Sequence, residues 1–168
     1  MNLKTQLINL WEYYIEKTNR KALKRIIKAN KLYNGGNMLQ KFFAMRLHNK
    51  NIIRYGCEIY PQAQIGEGLY IPHCVGIVVG STTVLGENCT IYPNVVFGAK
   101  CSPRNPAPKG RRHAKCGDNC IFGANSSIIG AINIGNNVTV AAGAVITKDI
   151  PDNAIVVGNN KIIGFLEK

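Results

Sequence analysis

The chain has 168 residues, 46% hydrophobic and only 18% charged, with 21 Lys and Arg against 9 Asp and Glu for a formal net charge of +12. That length fits one domain with a small appendage and a core that needs no disulfide or metal staples, and so apolar a chain collapses instead of staying disordered. Aromatics are sparse at 8% while Gly reaches 17 residues, which points to tight, repeated turns.

Lys4, Glu12 and Glu16 interrupt the N-terminal apolar residues, so no signal-peptide core is read there. The six cysteines (Cys57, Cys74, Cys89, Cys101, Cys116 and Cys120) are therefore expected to be reduced thiols of a cytoplasmic protein. Residues 1–55 hold twelve Lys or Arg against Glu12 and Glu16, a balance of plus ten, whereas residues 56–168 hold nine against seven, plus two. In the basic third, Leu7, Ile8, Trp11, Tyr14, Ile15, Ala22, Leu23, Ile26 and Ile27 recur at helical spacing, interleaved with Lys17, Arg20, Lys21, Lys24, Arg25 and Lys28. Asn34-Gly35-Gly36-Asn37 stops this helix or broken pair of helices, and Met38, Leu39, Phe42, Phe43, Arg46 and Leu47 start a short second one. His48, at its end, reads as a helix C-terminal cation.

From residue 59 the period changes. Aliphatic residues fall every six positions at Ile59, Ile65 and Ile71, then after a two-residue shift at Val79, Leu85, Ile91 and Phe97; the phase breaks and resumes at Cys116, Phe122, Ile128, Ile134, Val140 and Ile146. Gly follows the aliphatic residue at 66, 80, 86, 98, 117, 123 and 135. Such a unit is a short strand plus a turn, and if three units make one coil, residues eighteen apart stack at about 4.8 Å. Inward aliphatic ladders result, with Gly or Asn at corners that need unusual backbone angles. The same pattern accounts for the uncharged stretch 119–147, whose five Asn and four Gly argue against a transmembrane helix. The expected organisation is a basic helical region over 1–55 and a β-helix over 56–168, from which the Pro-rich segment 99–115 protrudes.

The segments Gly56-Cys57-Glu58-Ile59-Tyr60-Pro61, Ile65-Gly66-Glu67-Gly68-Leu69-Tyr70-Ile71-Pro72-His73, Gly76-Ile77-Val78-Val79-Gly80, Arg112-His113 and Ala142-Gly143-Ala144-Val145 resemble those of the hexapeptide-repeat acyltransferases. Within that family the chain is most similar to serine acetyltransferases and their shorter relatives in surface-polysaccharide clusters. The resemblance implies a left-handed parallel β-helix, a homotrimer, and acetyl-CoA as co-substrate; no metal is expected, because the 116/120 cysteine pair is not flanked by a second pair at ligand spacing.

His73 breaks a run of small turn residues, and with the resemblance it is expected to be the general base, since imidazole suits proton transfer near neutrality. The hydroxyl it activates attacks the thioester directly, so Cys74 is left out as a nucleophile. The family places a carboxylate fifteen residues before this His; Glu58 stands there, expected to orient the imidazole as a triad acid does, with a solvated rim Glu as the alternative. By resemblance Arg112 and His113 meet the acceptor, the Gly98-Ala99 turn supplies oxyanion donors, and Gly123, Ala124, Ala142 and Gly143 line the CoA groove. Lys148 and Lys161 face its phosphates or are ordinary surface charge. Cys89, Cys101, Cys116 and Cys120 fit small or aliphatic columns as fillers. His48, His73 and His113 offer no metal-ligand cluster, and the basic segment holds no nucleic-acid reader motif.

Pro72 departs from serine acetyltransferases, which carry an Asp immediately before the catalytic His to meet the substrate ammonium, and the helical region is shorter than theirs. Both departures put a sugar O-acetyltransferase of capsule or exopolysaccharide synthesis first, L-serine O-acetyltransferase second and a non-catalytic assembly module third. The basic helices are expected either to touch the anionic inner face of a membrane or to cap the β-helix through Trp11, Ile15 and Phe42.

Overall fold

The computed structural model describes residues 3–100 and 110–166, with side chains from residue 16 onward. Helix α1 runs over Leu3–Asn34 and α2 over Met38–Tyr55. The second helix is longer than the sequence pattern suggests. It begins at Asn37, whose side chain accepts from the Gln40 amide while Gln40 accepts from the Asn37 amide, and it ends at Gly56 in the left-handed region (φ 60°). Ala22, Ile26 and Ala29 give α1 a buried face, and Ala22 and Ile26 share one core with Cys57 and Ile59 of the first coil. Asn30 and Asn34 lie on the same side and donate to the carbonyls of Pro61 and Ala63. Thus α1 caps the open end of the β-helix. Phe42, expected in that cap, is instead 58% exposed, and the side chains of Trp11 and Ile15 lie outside the described ones.

Beyond the helices the chain winds as a parallel β-helix with three faces. The first sheet stacks β1 (Glu58–Ile59), β3 (Val78–Val79), β6 (Val96–Gly98), β9 (Ser127–Ile129) and β12 (Val145–Ile146). The second stacks β2 (Gln64–Ile65), β4 (Val84–Leu85), β7 (Lys115–Cys116) and β10 (Asn133–Ile134). The third stacks β5 (Thr90–Ile91), β8 (Ile121–Phe122), β11 (Thr139–Val140) and β13 (Ala154–Val157), and β14 (Lys161–Phe165) turns back antiparallel along β13. Register places Ile59, Val79, Phe97, Ile128 and Ile146 in one inward ladder, all buried. Phe97 meets Phe122 of the third face edge-on at 4.9 Å.

Two corners need left-handed backbone, and Gly or Asn occupies every such position. The third-to-first corner carries Gly56, Gly76, Asn94, Asn125 and Gly143 (φ 60, 64, 59, 59 and 70°), and the second-to-third corner carries Gly68, Asn88, Asn119, Asn137 and Asn153 (φ 74, 54, 56, 56 and 63°). Stacked Asn side chains bond one another, as in Asn119 to Asn137 (3.1 Å) and Asn137 to Asn153 (2.9 Å).

The two interruptions of the hexapeptide phase are local. Glu58 pairs with Val78, twenty residues on, whereas Val78 pairs with Val96, eighteen on. Five residues separate Tyr70 from Gly76, where three separate the stacked Thr90 from Asn94. The additional pair therefore sits in the corner holding Pro72 to Val75. Val84 pairs with Lys115, thirty-one residues on, so thirteen residues beyond one coil lie between Gly98 and Lys115. Cys101, Pro103, Pro106 and Pro108 of that loop lie outside the described residues.

Candidate active site

His73 stands on the enlarged third-to-first corner. The turn closes through the Val75 amide, which donates to the His73 carbonyl at 3.0 Å, and continues into left-handed Gly76, whose amide bonds the Gly56 carbonyl below. Asn19 of α1 clamps both sides of this turn: its Nδ2 donates to the Pro72 carbonyl (2.7 Å) and its Oδ1 accepts from the Cys74 amide (3.3 Å). The imidazole is exposed, bonds no side chain among the described residues, and opens on a cleft of about 640 Å³ lined by Thr18, Asn19, Arg54, Tyr55, Gly56, Cys74 and Val75. Beneath it Cys74 is buried against Cys57, whose thiol is held well above its usual range by their shared hydrogen bond and by burial.

No hydrogen bond joins Glu58 to His73 among the described residues. Its carboxylate stands beside Tyr60, whose phenol is raised above its usual range by hydrogen bonding to Glu58 and by the Glu58 charge. Tyr60 in turn stacks on His48 at 5.0 Å. His48 is not a solvated helix-end cation: it lies mid-helix in α2, 4% exposed, and its Nδ1–H donates to the Ile59 carbonyl at 3.0 Å. Burial lowers its pKa, opposed by that bond and by Glu58.

Arg112 and His113 lie at a different edge, the first-to-second corner. The Thr82 hydroxyl accepts from the amides of Arg112 (2.9 Å) and His113 (3.1 Å) and donates to His113 Nδ1 (2.7 Å). With Nδ1 accepting, the proton of the neutral ring sits on Nε2, which occupies the space a side chain at Gly80 would fill. His113 is buried, and burial followed by the Arg112 charge lowers its pKa. Arg111 is structural: its guanidinium bonds the carbonyls of His113, Ala131 and Ile132 and the Asn133 side chain, anchoring the returning loop. Gly98 and Ala99 stand at the same corner, above Gly80, whose amide bonds the Phe97 carbonyl; the Gly98 carbonyl is taken by the Gly130 amide.

The expected CoA residues are divided. Gly123, Ala124, Ala142 and Gly143 lie on the His73 edge in adjacent coils, joined by the Gly143 amide to the Ala124 carbonyl (2.8 Å). A Cβ at Gly123 would fall 2.5 Å from the Ala142 nitrogen, so the two coils meet backbone to backbone there, while Gly143 faces open space. Lys161 begins β14 just past this edge, where the Asn160 amide bonds the Val145 carbonyl. Lys148 follows β12 and belongs to the other edge.

Sequence reasoning missed Asn19, Asn30 and Asn34 as docking residues and Thr82 as the holder of His113. The signal for the first three is their spacing of eleven and four, which puts them on the face of Ala22 and Ile26. Thr82 carries none.

Residues 114–148 match the family model "Hexapeptide repeat of succinyl-transferase". Serine acetyltransferase 2 of Arabidopsis thaliana is 36% identical over 148 residues, which is 88% of this chain and 43% of that protein. The Staphylococcus aureus (strain N315) serine acetyltransferase is 38% identical over 132 residues, 77% of this chain and 57% of that one. Among solved structures, the Neisseria gonorrhoeae serine acetyltransferase superposes with a TM-score of 0.77 at 36% identity, covering 88% of this chain and 54% of its own. Soybean serine acetyltransferase complexed with serine gives 0.74 at 32% identity, covering 84% and 56%. This chain thus spans about half the length of the relatives it matches.

Proposed function

Because this chain is a hexapeptide-repeat protein of the serine acetyltransferase-like type, we propose that it moves an acetyl group from acetyl-CoA to a hydroxyl acceptor with His73 as general base. The observation that carries the reading is His73 itself, exposed on the enlarged third-to-first corner of the solenoid, with its turn clamped on both sides and its ring bonding no described side chain. His73 takes the acceptor proton as the oxygen attacks the thioester carbonyl; the C–S bond breaks, and the imidazolium returns the proton to the leaving CoA thiolate. The backbone edge at Gly123, Ala124, Ala142 and Gly143, with Lys161, would hold acetyl-CoA along the same corner. His113, Arg112, Gly98 and Ala99 occupy another corner of the same chain. We therefore infer a trimer in which one chain's first-to-second corner faces the next chain's His73 edge. Glu58, whose carboxylate has acceptor sites to spare beside Tyr60, would orient the His73 imidazole.

The names of the relatives favour L-serine as acceptor over the capsular sugar that Pro72 suggests. A sugar remains as a second reading on one observation: no carboxylate lines the His73 cleft among the described residues, so nothing there pairs with an ammonium. Thiol release from acetyl-CoA, measured against L-serine, free sugars, nucleotide sugars and oligosaccharide repeat units, decides the acceptor. Turnover with none of them refutes acetyl transfer.

A further inference from the structure

The sequence reading puts any membrane contact on the basic helices together; the structure gives α1 the cap of the first coil and leaves the outer face of α2 bare. Ala44, His48 and Asn51 form the buried side of α2. On the other side Met38 (87% exposed), Leu39, Phe42, Phe43 and Ile53 (87%) stand in solvent together with Arg46, Lys50 and Arg54. At 100° per residue these eight positions share an arc of about 160°. No Asp or Glu occurs anywhere in Met38–Tyr55. On α1, by contrast, Lys17, Arg20, Lys21, Lys24 and Lys28 are exposed while Ala22, Ile26 and Ala29 are buried, and among the described side chains of that helix Ile27 is the only exposed large apolar one.

We infer that this face of α2 lies in the surface of an anionic lipid leaflet. The exposed cluster of Met38, Leu39, Phe42 and Phe43, with Ile53 further along the same face, marks an interaction surface. A two-fold pairing with a second copy is a poor occupant, because it sets Arg46, Lys50 and Arg54 of α2 against themselves with no carboxylate on either α2, between chains that each carry a net +12. An anionic leaflet meets both halves of the pattern: headgroup phosphates pair with the cations, and the acyl boundary takes the aromatic and aliphatic side chains. Phe42 and Phe43 supply the insertion, the cations of α2 fix the helix in the plane, and the α1 cations add only to the long-range field. This inference does not depend on the acetyl-transfer reading.

The test is sedimentation of the full chain with phosphatidylcholine vesicles, with and without phosphatidylglycerol, at low and high salt. The expected result is binding to the anionic vesicles only, weakened by salt. Phe42→Gln with Phe43→Gln lowers partitioning at least about tenfold, with an unchanged circular dichroism spectrum because both side chains are exposed. Lys24→Glu changes partitioning by less than about tenfold. Absence of binding to anionic vesicles at low salt overturns the inference, and so does full binding by the double Phe variant. A double Phe variant that dissociates an oligomer, in a protein that ignores vesicles, assigns the face to a second copy instead.

Discussion

Replacing Asn19 by Ala removes both bonds that tie the His73 turn to α1, the 2.7 Å bond to the Pro72 carbonyl and the 3.3 Å bond from the Cys74 amide. Each contributes a net of about 0.5–1.5 kcal/mol, so the clamp is worth about 1–3 kcal/mol. If all of that holds the imidazole in its working position, kcat falls by about 5- to 160-fold. The coil edge at Gly123 and Gly143 is remote from α1, and KM for acetyl-CoA should stay the same. Asn19→Asp keeps the acceptor for Cys74 but sets a carboxylate against the Pro72 carbonyl, and it should be at least as damaging as Ala. The assay is steady-state thiol release by both variants with the acceptor the screen identifies, alongside thermal melting. A kcat equal to the parent's in Asn19→Ala, whether or not Tm falls, refutes a positioning role and leaves Asn19 as a docking residue only.

His73→Ala should cost at least about a hundredfold in kcat, with CoA binding retained by calorimetry. Gly123→Val drives a side chain into the Ala142 backbone and should destabilise by about 1–3 kcal/mol, a Tm drop of several degrees, whereas Gly143→Ala meets open space and suffers only the strain of its left-handed backbone. His48 and His113 are held neutral by burial, while the unfolded chain protonates them near pH 6.5. The unfolded state then binds more protons below about pH 6.5, so stability is fully present above that value and falls as pH drops through it towards the lowered folded-state pKa values. His48→Asn, whose Nδ2 can replace the donor to the Ile59 carbonyl, should show a smaller fall in Tm between about pH 7.5 and 5.5. An undiminished pH dependence excludes His48 as its source.

The solenoid can be read from the sequence because every coil repeats the same demand: one aliphatic side chain inward and one Gly or Asn at a corner. Even the slip between Ile71 and Val79 is visible as a change of phase, and it marks the corner that bears His73. What escapes is contact across elements. Glu58 lies fifteen residues before His73, less than a coil, and spacing alone does not reveal the neighbouring Tyr60 phenol, whose pKa its hydrogen bonding and charge raise. His48 reads as a helix-end cation only if α2 stops there; because it runs on to Tyr55, the same residue faces the first coil and is buried. Asn19 looks like one more polar residue in a basic helix, since a helical pattern records which face is apolar but not which amide meets a turn fifty-odd residues away.

Nothing in the hexapeptide rule says where a coil should stop, and a parallel ladder left open at either end invites another chain to continue it. Here length is written into two different devices. At the lower end α1 lays its buried face and its Asn side chains over the first coil. At the upper end β14 reverses direction against β13, with an irregularity in register at Ile155 and Val156. On the third face a further strand would meet this reversed neighbour instead of the parallel edge that the repeat needs, so a stack with translational symmetry along its axis is blocked there from propagating in register.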